Sequence, residues 1–384
     1  MATGNSSPAS GAEAKAISSD VANNLNLTVK HVPALDGIRG LAVLMVVMQH
    51  YGDLSRSDSQ ILRILNIIKE TGWAGVDIFF ALSGFLITGI LWQKRNEHNR
   101  FKNFYIRRGL RLFPLYYAVW AFLAIYIFAT HRPWRADYSA FLLYVGNFAS
   151  RSPIGDFGVG HFWSLAVEEQ YYIIWPFVLW RLTNKRTAMY VLIFAAFFSI
   201  ILKPALIVMH LGEWGYYLLP SHMEGLAWGS FLALAAVTPG LHPYLARAGR
   251  LMPVVFFAIL GLEFYFHGLP NTYPLADAFA IPLFSLGAVL LIWNSLLPGS
   301  LCGKLMNLRF LRFYGKYSYG LYVYHLLLAR PLRRMIYVPL STHIHSSLLA
   351  GTFYMAICLA LLTLLAVVSF RYFESPFLKL KQKF

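Results

Sequence analysis

The stretch Leu35–His50, LDGIRGLAVLMVVMQH, puts an aspartate and an arginine at the head of an apolar run and a histidine at its foot. As a helix it has about three turns between Arg39 and His50, so both lie on one face, about 16 Å apart along the axis. Asp36 stands three residues before Arg39, the spacing at which opposite charges pair on a helix. Ionisable groups inside lipid are costly, and each needs a partner or a task. With Arg39 at the water edge, His50 falls near the middle of a hydrocarbon layer roughly 30 Å thick. An imidazole there can take and return a proton, or it can serve as a structural group bonded to a neighbouring helix.

The rest of the chain requires a membrane. Its 384 residues are 58% hydrophobic and 13% charged, with 30 Phe, 23 Tyr and 10 Trp, whereas a soluble domain holds nearer a quarter charged residues. The net charge of +16 would suit nucleic acid if the cations clustered on one domain, but they alternate with apolar runs. About ten apolar spans follow, near 36–52, 73–92, 112–130, 161–181, 188–209, 218–237, 251–268, 277–297, 317–335 and 347–371. With the N-terminus inside, the inner segments hold 23 of the 33 Lys and Arg and the outer ones 9, while Lys203 lies within a span. That bias predicts an all-α integral membrane protein with about ten transmembrane helices and both termini cytosolic. Residues 1–32 are small and polar and contain no leader-like apolar run, so they read as a disordered cytosolic tail. Residues 33–376 form the transmembrane domain, and 377–384 a short basic cytosolic tail. Cys302 and Cys358 are too few and too far apart for a disulfide framework.

Other spans carry ionisable groups to comparable depth. Asp77 in GWAGVDIFFALSGFLITGILWQK lies about 25 Å from the inner edge, and Glu168 in HFWSLAVEEQYYIIWP about 20 Å. His161, Ser164, Glu168 and Trp175 share one helical stripe. His325 in GKYSYGLYVYH is about 14 Å deep. Two histidines and two carboxylates at mid-depth imply a polar cavity between helices. At the inner mouth, FKNFYIRRGLRLFPLYY stacks Arg108 and Arg111 one turn apart, and paired guanidinium forks suit phosphate oxygens. Lys94, Arg95 and Arg100 read as ordinary positive-inside anchors. Gly72, Gly75, Gly84 and Gly89 permit close helix approach, and Ser83-Gly84 leaves room for a thin substrate.

Taken together, these segments resemble the acyltransferase-3 family of integral membrane acyltransferases. The likeness runs from about residue 33 to 376 through LDGIRGLAVLMVVMQH, GVDIFFALSGFLIT, RRGLRLFPLYY, HFWSLAVEEQYYIIWP and GKYSYGLYVYHLLLARP, with a closing RYFESP. The resemblance implies transfer of an acyl group, usually acetyl, from cytosolic acyl-CoA to a hydroxyl on a glycan, lipid-linked sugar or natural product. It makes His50 the catalytic residue, pairs it with Arg39, and assigns Arg108 and Arg111 to the CoA. Asp77, Ser83, Glu168 and His325 carry over as motif residues. The family's usual Arg near an Asp is replaced here by His222 and Glu224 in SHMEGLAWG.

The expected mechanism docks CoA phosphates on Arg39, Arg108 and Arg111, threads the acyl arm past Ser83, and uses His50 as general base on the acceptor hydroxyl. Glu168 or Asp77 would orient the imidazole as the third member of a triad does. An acyl-histidine intermediate is the variant route. Asp36, His161, Trp163, Tyr172 and His325 are supporting residues. The spacing gives no metal ligand set such as HExxH, so no metal and no recycled cofactor are assigned. The resemblance also implies a bacterial inner-membrane location and lipid contact, with no nucleic-acid partner. Because no soluble hydrolase-like domain follows, transfer is expected to finish within the membrane domain. The competing reading is a multi-span transporter or flippase of a polysaccharide precursor, disfavoured by the lack of an inverted repeat. A non-catalytic partner in polysaccharide assembly is the third.

Overall fold

The computed structural model describes residues 31–51, 60–149, 152–266 and 274–384. The proposed disordered tail lies almost wholly outside the described residues, as do Arg56 and Arg151 of the outer loops. All ten apolar segments are helical: α1 (Pro33–Tyr51), α2 (Gly75–Gln93), α3 (Arg100–Ala129), α4 (Phe162–Arg181), α5 (Lys185–Val208), α6 (Glu224–Ala236), α7 (Met252–Tyr265), α8 (Pro274–Leu296), α9 (Ser318–Leu332) and α10 (Ser347–Ser369). Among the described residues there is no strand beyond an isolated bridge between Ile154 and Phe157. Five helices are long and apolar enough to cross a membrane unaided, or six if the bent pair Pro239–Gly249 and Met252–Tyr265 is one span. The molecule is therefore an all-α, multi-pass membrane protein.

Helix position follows from which faces are apolar. In α2 nearly every residue is apolar, and 72% of the apolar window that ends in this helix is buried in protein. In α5 and α10 only 22% is buried. Large side chains such as Phe194, Phe197, Ile201 and Leu364 remain on their outer surfaces, where lipid tails would meet them. Asn184 caps α5 by accepting from the Arg186 amide at 2.9 Å, and Ser346 caps α10 by accepting from Leu349.

The centre is a close-packed group of α1, α2, α6 and α9. Two glycine seams set its geometry. Gly37 and Gly40 of α1 abut the carbonyls of Met306 and Leu311, and Gly315 abuts the carbonyl of Asp36, so the short helix Arg309–Lys316 lies hard against the start of α1. Gly84 and Gly229 similarly bring α2 and α6 together, each facing a carbonyl of the other helix.

Two boundaries differ from the sequence reading. Helix α3 begins at Arg100, not near 112, because the basic run continues the helix and only the change to lipid-facing residues marks the membrane edge. The basic stretch 377–384 is not a free tail: Ser375–Leu380 and Lys381–Lys383 fold back on α3. A wide π-type turn, Phe370–Glu374, introduces that reversal. Arg371 and Glu374 stand at i,i+3, a spacing at which opposite charges pair on a helix, but within this turn they take other partners. Glu374 accepts instead from Ser369 Oγ at 3.0 Å, and Arg371 lies by the Tyr372 ring.

Candidate active site

At the start of α1, Arg39 Nη1 donates to Asp36 Oδ1 at 2.8 Å, as the spacing predicted, and His31 sits 2.6 Å from the other carboxylate oxygen. Arg39 then borders two chambers. The lower one, about 270 Å³, is lined by seven cations: Arg39, Lys94, Arg100, Arg107, Arg108, Arg111 and Lys381. No acidic side chain is among the described residues lining it. Lys94 and Arg100, read from the sequence as simple anchors, are thus part of this wall. The upper chamber, about 90 Å³, shares Arg39, Arg108 and Arg111 with the lower one and continues to Ser83, Glu168, Ser164 and Tyr322. The two form one path leading from a cationic mouth toward the interior.

The polar knot beside that path joins three helices. Tyr172 donates to Ser83 Oγ at 2.8 Å, Ser83 donates to Glu168, and the Arg108 guanidinium lies 3.8 Å from the Tyr172 ring centroid. The stripe on α4 is used along its length. Ser164 bonds the Tyr322 hydroxyl at 2.5 Å, and Trp175 Nε1 donates to Thr88 Oγ1 at 2.8 Å. Tyr322 and Glu169, which the sequence reading did not single out, are both buried here. Only their place in the conspicuous motifs GKYSYGLYVYH and VEEQ could have flagged them.

His50 occupies the last turn of α1 and is exposed on one side. On the other its ring meets His325 at 5.0 Å between centroids, and His325 meets His161 at 4.9 Å. Three expected site histidines from three elements thus form one cluster. Among the described residues, no group of His, Cys, Asp and Glu has a metal-binding arrangement.

The buried ionisable groups fall into separate clusters, and the partners seen for Glu168 and Asp77 are Ser83 and His222 rather than the His50–His325–His161 group. Glu168 is engaged by Ser83, two turns of α4 away from the histidines. Asp77 Oδ1 meets His222 Nε2 at 3.2 Å in a third cluster, where the His222 ring is surrounded by Phe80, Trp163 and Tyr216. Trp163, read from the sequence as a supporting residue, belongs to this aromatic box. Beside it Lys203 Nζ donates to Glu224 Oε1 at 2.5 Å, and Ser199 donates to the other oxygen. The residues by which the chain departs from its resemblance, His222 and Glu224, thus pair with Asp77 and Lys203 on other helices, while His222 Nδ1 and Asp77 Oδ2 are buried without a hydrogen-bond partner.

Comparison with known proteins accords with this architecture. The acyltransferase domain family matches residues 32–372. Over 377 residues the chain is 29% identical to the peptidoglycan O-acetyltransferase OatA of Listeria monocytogenes, covering 91% of this chain and 56% of that protein. It is 26% identical over 374 residues to the O-acetyltransferase OatA of Staphylococcus aureus, covering 91% and 58%. The chain thus spans little more than half the length of these relatives. No solved structure matches it. With the profile covering nearly the whole described helical body and its ordered motifs assembled around one polar path, the chain belongs to the acyltransferase-3 family of integral membrane acyltransferases.

Proposed function

We propose that the protein is a membrane-embedded O-acetyltransferase that takes acetyl from cytosolic acetyl-CoA and places it on a hydroxyl of a peptidoglycan-type glycan. In this reading the helices make ten crossings of a bacterial cytoplasmic membrane, with both termini on the cytosolic side. The carrying observation is the lower chamber, whose lining holds seven basic side chains and no acid; Asp36 and Glu97, the partners of Arg39 and Lys94, lie outside that lining. Such a wall suits a polyanion, and coenzyme A presents a pyrophosphate and a 3′-phosphate on one compact head. The narrower upper chamber suits its thin pantetheine arm. Both relatives are O-acetyltransferases, which supports the acetyl group, and the Listeria protein acts on peptidoglycan, which supports the glycan acceptor.

Arg39, Arg108 and Arg111 stand where the two chambers join, so they hold the diphosphate at the neck. Asp36 fixes the Arg39 fork through their 2.8 Å bond. Ser83, tied to Tyr172 and Glu168, lines the upper chamber along the course of the acyl arm. His50 takes the proton of the acceptor hydroxyl: its Nδ1 lies 2.9 Å from the Val46 carbonyl and must donate to it, which leaves Nε2 as the base.

The test is thiol release by purified protein given acetyl-CoA and soluble muropeptides. His50→Ala is expected to lower turnover by roughly 10²–10⁴-fold with acetyl-CoA binding retained. Arg39→Ala should raise the KM for acetyl-CoA. Turnover unchanged in His50→Ala would remove the mechanism, and absence of acetyl-CoA binding by the wild type would return the transporter reading.

A further inference from the structure

The site as described leaves a gap. His50 meets the acceptor, yet the chamber that would receive the donor ends at Ser164 and Tyr322, and His50 does not line it. Between them lie His325 and His161.

The backbone fixes the tautomer of each imidazole. A carbonyl oxygen can only accept, so the ring nitrogen facing it carries the hydrogen. His50 Nδ1 donates to Val46, His161 Nε2 to Val323 at 3.1 Å, and His325 Nδ1 to Tyr322 at 2.5 Å. Each ring is left with one bare acceptor: His50 Nε2, His161 Nδ1 and His325 Nε2. The last two are buried and have no hydrogen-bond partner, in rings whose centroids are 4.9 Å apart. Two buried lone pairs without donors are costly. A single proton shared between them, or one water donating to both, would satisfy the pair at once.

We propose that His325, with His161, forms a proton relay between His50 and the Ser164–Tyr322 hydroxyl pair at the roof of the donor chamber. The inference rests on the transfer reading above. His325 acts through His50 and is a positioning residue, not a catalytic one. In the step it serves, the acceptor O–H bond breaks, its oxygen bonds the acyl carbon and the C–S bond breaks. His50 Nε2 takes the hydroxyl proton and passes it to the free nitrogens of His325 and His161. The Tyr322 ring lies 5.2 Å from His325 and 5.5 Å from His161, its hydroxyl and that of Ser164 reach the His161 carbonyl at 3.2 and 3.0 Å, and both residues line the chamber. Through that hydroxyl pair the proton reaches the thiolate, giving CoA thiol, so charge and protons balance with no further reactant. The other groups around the cluster are Tyr51, which donates to the His325 carbonyl at 2.5 Å, and Lys69 and Glu70 near His50, which pair with each other at 2.9 Å.

The experiment compares wild type, His325→Gln and His161→Gln as full chains in lipid nanodiscs. Thiol release is measured from acetyl-CoA with soluble muropeptides, in H₂O and D₂O. Glutamine keeps a donor for the carbonyl but cannot pass a proton. For His325→Gln a fall in kcat of about tenfold or more is expected, with KM for acetyl-CoA unchanged, a larger solvent isotope effect, and partial rescue of His325→Gly by added imidazole. A folded His325→Gln variant with kcat within twofold of wild type overturns the relay and leaves the transfer reading intact. So does a loss that raises KM and resists imidazole. If wild type releases no thiol, the transfer reading fails, and ¹⁵N-histidine spectra still decide the cluster. A titration coupled between His161 and His325 supports a shared proton site there, and two rings that titrate independently exclude it.

Discussion

Lys203 is the one cation that the sequence places inside a span, and sequence alone gave it no partner. Its ammonium meets Glu224 from α6, and both side chains are essentially sealed from solvent, at 2% and 0% exposure. A buried pair contributes little beyond a well-packed apolar pair, but removing one member strands the other charge. Lys203→Met should therefore destabilise by about 3–5 kcal/mol, read as a marked drop in the melting temperature of the purified protein. Lys203→Met with Glu224→Gln should recover most of it. Equal destabilisation by the single and double variants would mean that packing, not charge, governs this place. The cluster lies behind Phe80, which touches His222 on one side and lines the donor chamber on the other. The single variant is thus expected to lower activity through a loosened chamber wall as well.

At the scale of the helices, the decisive residues are those that let backbones touch. Gly40 faces the Leu311 carbonyl with no room for a methyl group, and neither partner can move without shifting a whole helix. Gly40→Ala is expected to cost more than about 2 kcal/mol and to disturb Arg39 beside it. Gly261→Ala on α7, with nothing within 4 Å of the new atom, should leave the melting temperature unchanged or raise it slightly. If both alanines behave alike in thermal melts, the seam is not what fixes α1. The ten apolar helices were legible, because apolar length is written in composition, whereas short ones such as Arg309–Lys316 and Ser375–Leu380 were not. So were the Asp36–Arg39 pair and the shared stripe on α4, because helical spacing is local. The partners of Asp77 and Glu168 were not, since His222 is 145 residues from Asp77 and Ser83 is 85 from Glu168. Nor was the return of Lys381 to the chamber, which depends on the wide turn at Phe370–Glu374. Spacing along one helix says which face a residue is on; it does not say which neighbour that face meets.

For the whole molecule, the polar groups run in order along one axis. The cationic mouth leads through the neck at Arg39, Arg108 and Arg111 to the Ser83–Glu168 knot, then to Tyr322 and the imidazoles, with His50 exposed beyond them. On the proposed reading, with a polyanion site at one end and the base at the other, this path has a direction. On that same reading the excess of Lys and Arg turns the mouth toward the cytosol. Single cysteines placed at exposed Glu97, near the mouth, and exposed Ser341, on the opposite side, in a background lacking Cys302 and Cys358, make that direction measurable. In right-side-out vesicles an impermeant maleimide should label position 341 and spare 97, with the reverse in inverted vesicles. Externally added acetyl-CoA should be consumed by the inverted vesicles alone. Labelling of both positions from one side would break the topology. Consumption by right-side-out vesicles, with labelling as expected, would place the donor at the histidine end and make the basic chamber a site for lipid phosphate instead.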